Sequence, residues 1–441
     1  MGLFLQLICL FVVTAFSYSS VIPQLPKYVV KDAGDPVGVT CPQNISNAWL
    51  DIVIAIDIST NMGPSQVRQI TLNLASELSK YVISQGQVGD PNHYTRVAII
   101  TYGSNATVLY DLAKINSNQM FQSAITSVVG STSDGVSNIT DAMTQAYNLI
   151  YDQQPCDEPF GCQKVARPPV LVLFAASVNG DTNSIYQTAQ QIQQLGTIIP
   201  VNYNPTNTML TSILNTIATP GMYFAKPWVA KDMDWALLQS NCFCTWWAGL
   251  QLVVMEPSTQ RYTRYAECFN VWDLIGGSLN LNDTDVCGSS EVGYPAAINA
   301  QATSDFIKKM LKEEIPNQFY IGLHRQGHSP TGKWMWYTFG GNDMPMGTFN
   351  DWASDANPNA PVTCAEEKRQ PGSTQQNPIY KWEPVSCELW DTGATNVICS
   401  LKACTSDNFC VTAIPSEFKS TKSRPRLPKN KQVGQLKGIK H

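Results

Sequence analysis

The sequence predicts two unlike domains in series: an α/β doubly wound parallel sheet over residues 47–240, then an α+β, disulfide-rich domain over residues 241–411. Three observations predict this. Strands of near-continuous β-branched residues alternate with amphipathic helices in the first stretch, the pattern of a parallel sheet covered on both faces. Cysteines crowd the second stretch, as in loop-rich extracellular folds. Within it, the β-rich run Tyr320-Ile321-Gly322-Leu323 is followed by Trp334-Met335-Trp336, two tryptophans spaced to share one strand face and to fill a sizeable buried pocket.

Taken in order, residues 1–20 read as a signal peptide: Gly2 to Ala15 is apolar, and Ser17, Ser19 and Ser20 supply small residues for a cut near Ser20. No later apolar run reaches the roughly 18–20 residues that cross a bilayer. The chain is therefore expected to be secreted into extracellular space, without a transmembrane segment. With Cys9 lost, 12 of the 13 cysteines remain, an even number suited to disulfides. There is no Cys-x-x-Cys pair and there are only four histidines, so zinc has little to bind. Sequons at Asn44, Asn105, Asn138 and Asn282 agree with a secretory route.

Residues 21–46 form a lead-in, polar from Cys41 to Asn47. Trp49 to Ile56 then reads as a strand buried on both faces, ending at Asp57-Ile58-Ser59-Thr60-Asn61-Met62-Gly63-Pro64. Val67, Ile70, Leu74, Leu78 and Tyr81 recur at helical spacing. Strands follow at 96–102 and 108–112, helices at 120–129 and from Ile139 to Ile150, a buried strand at 169–175, a helix at 185–195 closed by Gly196, a strand at 197–201, and helices near 209–217 and 232–239. In such sheets ligands bind beyond the carboxyl ends of the strands.

On these residues the first domain resembles the von Willebrand factor type A domain. That family holds a metal ion with an Asp-x-Ser-x-Ser loop, a Thr in a second loop and an Asp in a third. Asp57 and Ser59 match the first loop, Asn61 replaces its second Ser, Ser137 matches the Thr, and Ala176 stands where the third loop has its carboxylate. Asp57 is then the only carboxylate, so magnesium is expected to be weak or absent. Asp57 could instead cap the following helix. A glycan at Asn138 would sit on the same rim. Cys156 and Cys162 share one loop and are expected to bridge locally, while Cys41 and Cys242 flank the domain and could clasp it, leaving Cys244 for Cys268. Connectivity stays open from sequence.

The second domain resembles the C-type lectin-like family. Tyr320 to Leu323 matches its Trp-Ile-Gly-Leu motif, Trp334 and Trp336 its Trp-x-Trp, and Gly293-Tyr294-Pro295-Ala296-Ala297-Ile298 its helix entry. The resemblance implies nested bridges, Cys287 to Cys399 outside and Cys364 to Cys387 inside, and an amino-terminal hairpin closed by Cys244 and Cys268. Ala302 to Leu311 reads as a helix, and Cys404 with Cys410 closes a terminal loop. Sugar-binding members hold calcium with five side chains. Their positions fall here on Asn357 and Asn359 of Asn357-Pro358-Asn359, on Val362, and on Glu383 and Pro384 after Trp382, which leaves three oxygen-bearing groups and one carboxylate. A calcium site of this composition is degenerate. Asn357 and Asn359 could equally be turn residues around Pro358, and Trp352, read as a surface residue on the loop from Asp343 to Asp355, could stack on a sugar without metal. His324 and His328 read as loop residues.

The tail, residues 412–441, holds eight Lys or Arg after Pro415 against Glu417, so it is strongly basic although the chain's net charge is −5. It is nearly without apolar residues and is expected to be disordered, either as a solvated extension or as an anchor on an anionic surface. No nucleophile, base and oxyanion set with recognisable spacing occurs, so no enzyme is expected, and no nucleic-acid partner.

The combination resembles secreted nematode-type proteins that join one type A domain to one C-type lectin-like domain. That resemblance implies recognition of glycans or microbial surface carbohydrates in innate immune response. The alternative is an extracellular matrix or protein-adhesion component that binds extracellular proteins through the type A domain.

Overall fold

The computed structural model of the 441-residue chain describes residues 37–85, 94–131, 133–152, 167–179, 181–226, 230–245, 248–256, 261–274, 286–288, 292–311, 316–388, 394–408, 410 and 423–425. The expected signal segment, Cys156 and Cys162, the sequon at Asn282 and most of the basic tail lie outside the described residues.

The first half runs β1 (Asp51–Asp57), α1 (Pro64–Leu78), β2 (Arg96–Tyr102), β3 (Ala106–Tyr110), α2 (Asn118–Thr126), α3 (Ile139–Tyr151), β4 (Pro169–Ala175), α4 (Thr182–Leu195), β5 (Thr197–Asn202), α5 (Thr208–Ile217), β6 (Phe224–Ala225) and α6 (Ala230–Ser240). Its six strands lie in the order β3-β2-β1-β4-β5-β6. Every residue of β1 and β4 is buried, because each face of the sheet is roofed by helices. Ile52, Ile54 and Ile56 pack with α1, α2 and α6 on one face, and Val53 and Ala55 pack with α3, α4 and α5 on the other. Each fully buried aliphatic side chain contributes about 1.5–3 kcal/mol, so the alternation of branched residues along β1 stabilises both layers at once.

Helix starts follow local chemistry. Ser117, Asn138, Asp181 and Asn207 each accept a hydrogen bond from the first turn of α2, α3, α4 and α5. Helix α1 has no such cap; Gly63, at φ +75°, turns the chain so that Pro64 can open the helix. Two expectations shift. The strand expected at 108–112 is β3 at Ala106–Tyr110, which runs antiparallel to β2 and alternates in exposure because it forms the sheet's edge. Trp49 lies before β1 and not within it.

The second half runs β7 (Leu250–Glu256), β8 (Arg261–Leu274), β9 (Gly293–Pro295), α7 (Gln301–Met310), β10 (Gln318–Arg325), β11 (Trp334–Tyr337), β12 (Asp343–Pro345), β13 (Cys364–Arg369), β14 (Tyr380–Val385), β15 (Asn396–Lys402) and β16 (Ser423–Pro425). They form a ten-stranded sheet whose centre is β10, paired with β11, β13 and β15. Gly322 is obligatory there. A Cβ on it would meet the Pro295 carbonyl oxygen at 2.0 Å, and its N–H donates to Ala296 across the close approach at 2.8 Å. Five expected disulfides are present: Cys41–Cys242, Cys244–Cys268, Cys287–Cys399, Cys364–Cys387 and Cys404–Cys410.

Two expectations about the chain's ends are corrected. The lead-in is not a mere approach to the first domain: Val39 and Cys41 belong to the second sheet's core, Thr40 bridges Tyr265, and Thr303 donates to the Val37 carbonyl at 2.6 Å. The first sheet is thus inserted between two parts of the second, and Cys41–Cys242 closes its neck. Nor is the tail wholly without structure, since Ser423–Pro425 pairs antiparallel with Trp272 to Leu274 of β8. Ladder bonds need backbone and not apolar side chains, and the end of β8 is an edge that pairing satisfies.

The halves meet along a polar and aromatic seam. Buried Trp49 donates to the Thr405 carbonyl at 2.8 Å and packs on Phe243, and its backbone N–H donates to Asn241 Oδ1. Arg261 pairs with Asp232 at 2.9 Å and covers Trp235. Gln239 accepts from the backbone of Arg264, whose guanidinium is pushed down to about 10 by burial.

Candidate functional site

The strand order reverses at β1, so the loops after β1 and β4 splay apart at their carboxyl ends and leave a rim there. Asp57 closes β1 inside this rim and is fully buried. Its Oδ1 accepts from the Ser59 N–H at 2.9 Å. Its Oδ2 accepts from the Ser137 hydroxyl at 2.6 Å and from the Ala176 N–H at 3.2 Å. One carboxylate therefore ties together the loops of residues 58–63, 130–138 and 176–179. Asp57 does not cap α1, whose N-cap is Gly63, so that alternative is set aside. Beneath it Tyr102 donates to the Phe174 carbonyl at 2.8 Å, and burial raises its phenol well above the usual range.

The middle loop has a second tether that the sequence reading missed. Asp134 accepts from the Ser104 N–H at 2.7 Å and the Ser104 hydroxyl at 3.1 Å, and from the Val136 N–H at 3.1 Å; the Ser104 N–H is the main cause that lowers its carboxyl. A Cβ on Gly103 would lie 2.1 Å from this carboxylate, which is why glycine stands there. The only signal in sequence was an Asp-Gly pair, common to many turns. Asn61 is exposed, and its side-chain nitrogen lies 3.0 Å from the Gly135 carbonyl and 3.0 Å from Ser177 Oγ.

The donor set does not suit a divalent cation. Both oxygens of the single carboxylate already accept hydrogen bonds, Ala176 brings no oxygen on its side chain, and Asn61 points N–H groups inward. Ser59 Oγ is the one leftover, buried and without a hydrogen-bond partner. A hard cation needs about six to eight oxygens, or six with octahedral order, and local negative charge. Among the described residues no group of three or more His, Cys, Asp or Glu is placed to hold a metal.

The sugar-site candidates of the second half are scattered into other duties. Asn357 Oδ1 accepts from the Asn359 N–H at 3.1 Å, a turn around Pro358, whose carbonyl is in turn held by Arg325 at 2.6 Å and Trp334 at 3.0 Å. Glu383 pairs with Lys368 at 2.9 Å on β14. Trp352 is not a surface platform: it is half-buried, edge-on to Trp382 at 5.6 Å and beside Trp334 at 5.2 Å. Tryptophan in excess of what a flat face can solvate packs into a cluster, and Phe349 joins it. His324 is not a loop residue either. It lies buried in β10, stacked on Tyr337 at 3.7 Å, with Nδ1 3.1 Å from the Gly322 carbonyl and Nε2 3.2 Å from Asp343.

Of the sequons, Asn44 and Asn105 are exposed. Asn138 is half-buried, with its amide oxygen capping α3 and its nitrogen 3.3 Å from the Ser104 carbonyl.

Comparison with known proteins assigns the first half alone. Residues 51–239 match the family model for the von Willebrand factor type A domain. No curated protein matches. Among solved structures, proximal thread matrix protein 1 from the mussel byssus is similar at 13% identity and TM-score 0.34, over 45% of this chain and 47% of that one. Its zinc-occupied form is similar at 12% identity and TM-score 0.35, over 46% and 51%. The manganese-loaded TRAP protein of Plasmodium vivax is similar at 13% identity and TM-score 0.32, over 43% and 73%. The match to the mussel protein spans about half of that protein's length.

Proposed function

We propose that this chain, whose residues 51–239 form a von Willebrand factor type A domain, is a secreted adhesion or matrix component that binds an extracellular protein through the rim around Asp57. The observation that supports it is the three-loop rim itself, organised by Asp57 at the strand-order reversal and bordered by exposed Val136. The five disulfides among the described residues suit an oxidising compartment. No described helix is long and apolar enough to cross a membrane. No catalytic role is proposed.

The second reading is a lectin-like role for the second half, directed at glycans in innate immune recognition. It is favoured by the nested Cys287–Cys399 and Cys364–Cys387 bridges around β10. Weighing against it are the commitments of Trp352, Asn357 and Glu383 to packing, a turn and an ion pair.

The full-length chain should bind immobilised extracellular matrix proteins, and Val136→Arg should reduce that binding about tenfold or more without lowering the melting temperature. Binding to a glycan array, unaffected by Val136→Arg and abolished by Asn359→Ala, would replace the first reading with the second.

A further inference from the structure

We infer that the side-chain amide of Asn61 stands in for the cation in this rim, so that its loops are closed by hydrogen bonds and recognition there needs no metal. The inference concerns the rim itself and holds for any partner of the domain.

Gly135 presents a carbonyl oxygen, which can only accept, so the Asn61 atom 3.0 Å from it is the nitrogen and not the oxygen. The amide's second N–H then points at Ser177 Oγ, also at 3.0 Å. One NH2 group thereby joins the first loop to the second and the third, the three segments that an ion would draw together by sharing their oxygens. The substitution is matched to Ala176. Without a carboxylate in the third loop the rim carries one buried negative charge, Asp57, and that charge already accepts from Ser59, Ser137 and Ala176. Two partly positive N–H groups suffice where a divalent ion would leave excess positive charge.

The remnant supports this reading. Ser59 Oγ is buried and without a partner, as expected of an oxygen whose ligand has been replaced by a group that bonds elsewhere. Val136, Gly135 and Asn61 are exposed at the outer edge and carry no charge of their own, beside the half-buried Asp134 carboxylate.

The experiment uses the full chain with Asn61→Ala, Asn61→Ser combined with Ala176→Asp, and the unaltered protein, each in EDTA and in millimolar manganese. The unaltered protein should melt at the same temperature in both. The double variant regains a hydroxyl and a carboxylate beside Asp57 and Ser59, and should gain about 5 °C or more with saturating manganese. In EDTA, Asn61→Ala should speed hydrogen exchange at Val136 and at residues 177–179 by about tenfold, the loss expected for a local hydrogen-bond tether. A manganese-dependent rise in the unaltered protein overturns the proposal. So does unchanged exchange in Asn61→Ala, or a folded double variant that gains nothing from manganese. Should the double variant fail to fold, the exchange result and the unaltered protein's response decide the matter.

Discussion

The two sheets keep their shape by different means. The first is a run of branched aliphatics buried between helices, with its buried carboxylates at the ends of β1: Asp57 at the rim, and Asp51, paired with Arg96, at the opposite end. The second encloses an aromatic core with polar and charged groups inside it: Glu267, His324, Asp351, Glu366 and Glu367 are all buried. Four of the five described disulfides lie wholly within the second sheet's chain, and the fifth closes the neck. A continuous apolar core leaves an exposed loop residue such as Asn61 free to alter the rim's chemistry at little cost to the fold. A core with buried carboxylates depends on cross-links and on pH.

The largest expected effect breaks this contrast at its strongest point. Replacing Cys287 and Cys399 together by Ala opens a loop of 112 residues, which on the chain-entropy account removes about 5 kcal/mol. Denaturant unfolding followed at Trp336 and Trp382 should show the second region melting first while the type A domain retains its helical signal. Simultaneous loss of both would mean that the seam at Trp49, and not the bridges, sets the stability of the second sheet.

A smaller effect sharpens the contrast through pH. Burial pushes Glu367 and Glu366 up to about 7, with Lys368 opposing the shift of Glu366 and Glu383 adding to it. A carboxyl raised in the folded state binds its proton more tightly there, so the second region loses stability as pH rises from about 4.5 through 7. For fully buried Glu367 this amounts to roughly 3 kcal/mol, and Glu367→Gln should remove most of that slope. In the type A domain Asp134 and Asp181 are lowered, the first by the Ser104 N–H and the second by the Ser184 hydroxyl. Their stabilisation is present above the ordinary aspartate range and is lost as pH falls through the lowered values. Melting curves from about pH 2 to 8 should therefore weaken the second region towards the alkaline end, through Glu366 and Glu367, and the type A domain towards the acid end, through Asp134 and Asp181; parallel movement would refute the contrast.

The smallest effect tests the seam. Arg261→Ala removes the Asp232 pair and the cover over Trp235. The pair is partly exposed, so the loss should stay near or below about 1 kcal/mol, visible as a slight separation of the two transitions in calorimetry. A loss of several kcal/mol would make the halves one cooperative unit.

The sequence by itself determined the alternation of β1 to α6, because burial on both faces demands unbroken branched residues in strands and a period near 3.6 in helices. It also located the switch-point loop of Asp57, Ser59 and Asn61, and the absence of a carboxylate at Ala176. Five disulfide pairs were legible from spacing and resemblance. What it could not carry was anything set by distant backbone. That Asn61 turns its nitrogen inward depends on Gly135 and Ser177, 74 and 116 residues away. That Trp352 is packed and not displayed depends on Trp334 and Trp382. That Val39 and Cys41 serve the second sheet, and that Ser423–Pro425 completes an edge of β8, depends on where free strand edges and unfilled core happen to lie. Local pattern reports what a segment can bury; only the tertiary structure decides against what, because the partner's surface is assembled from residues with no periodic relation to it.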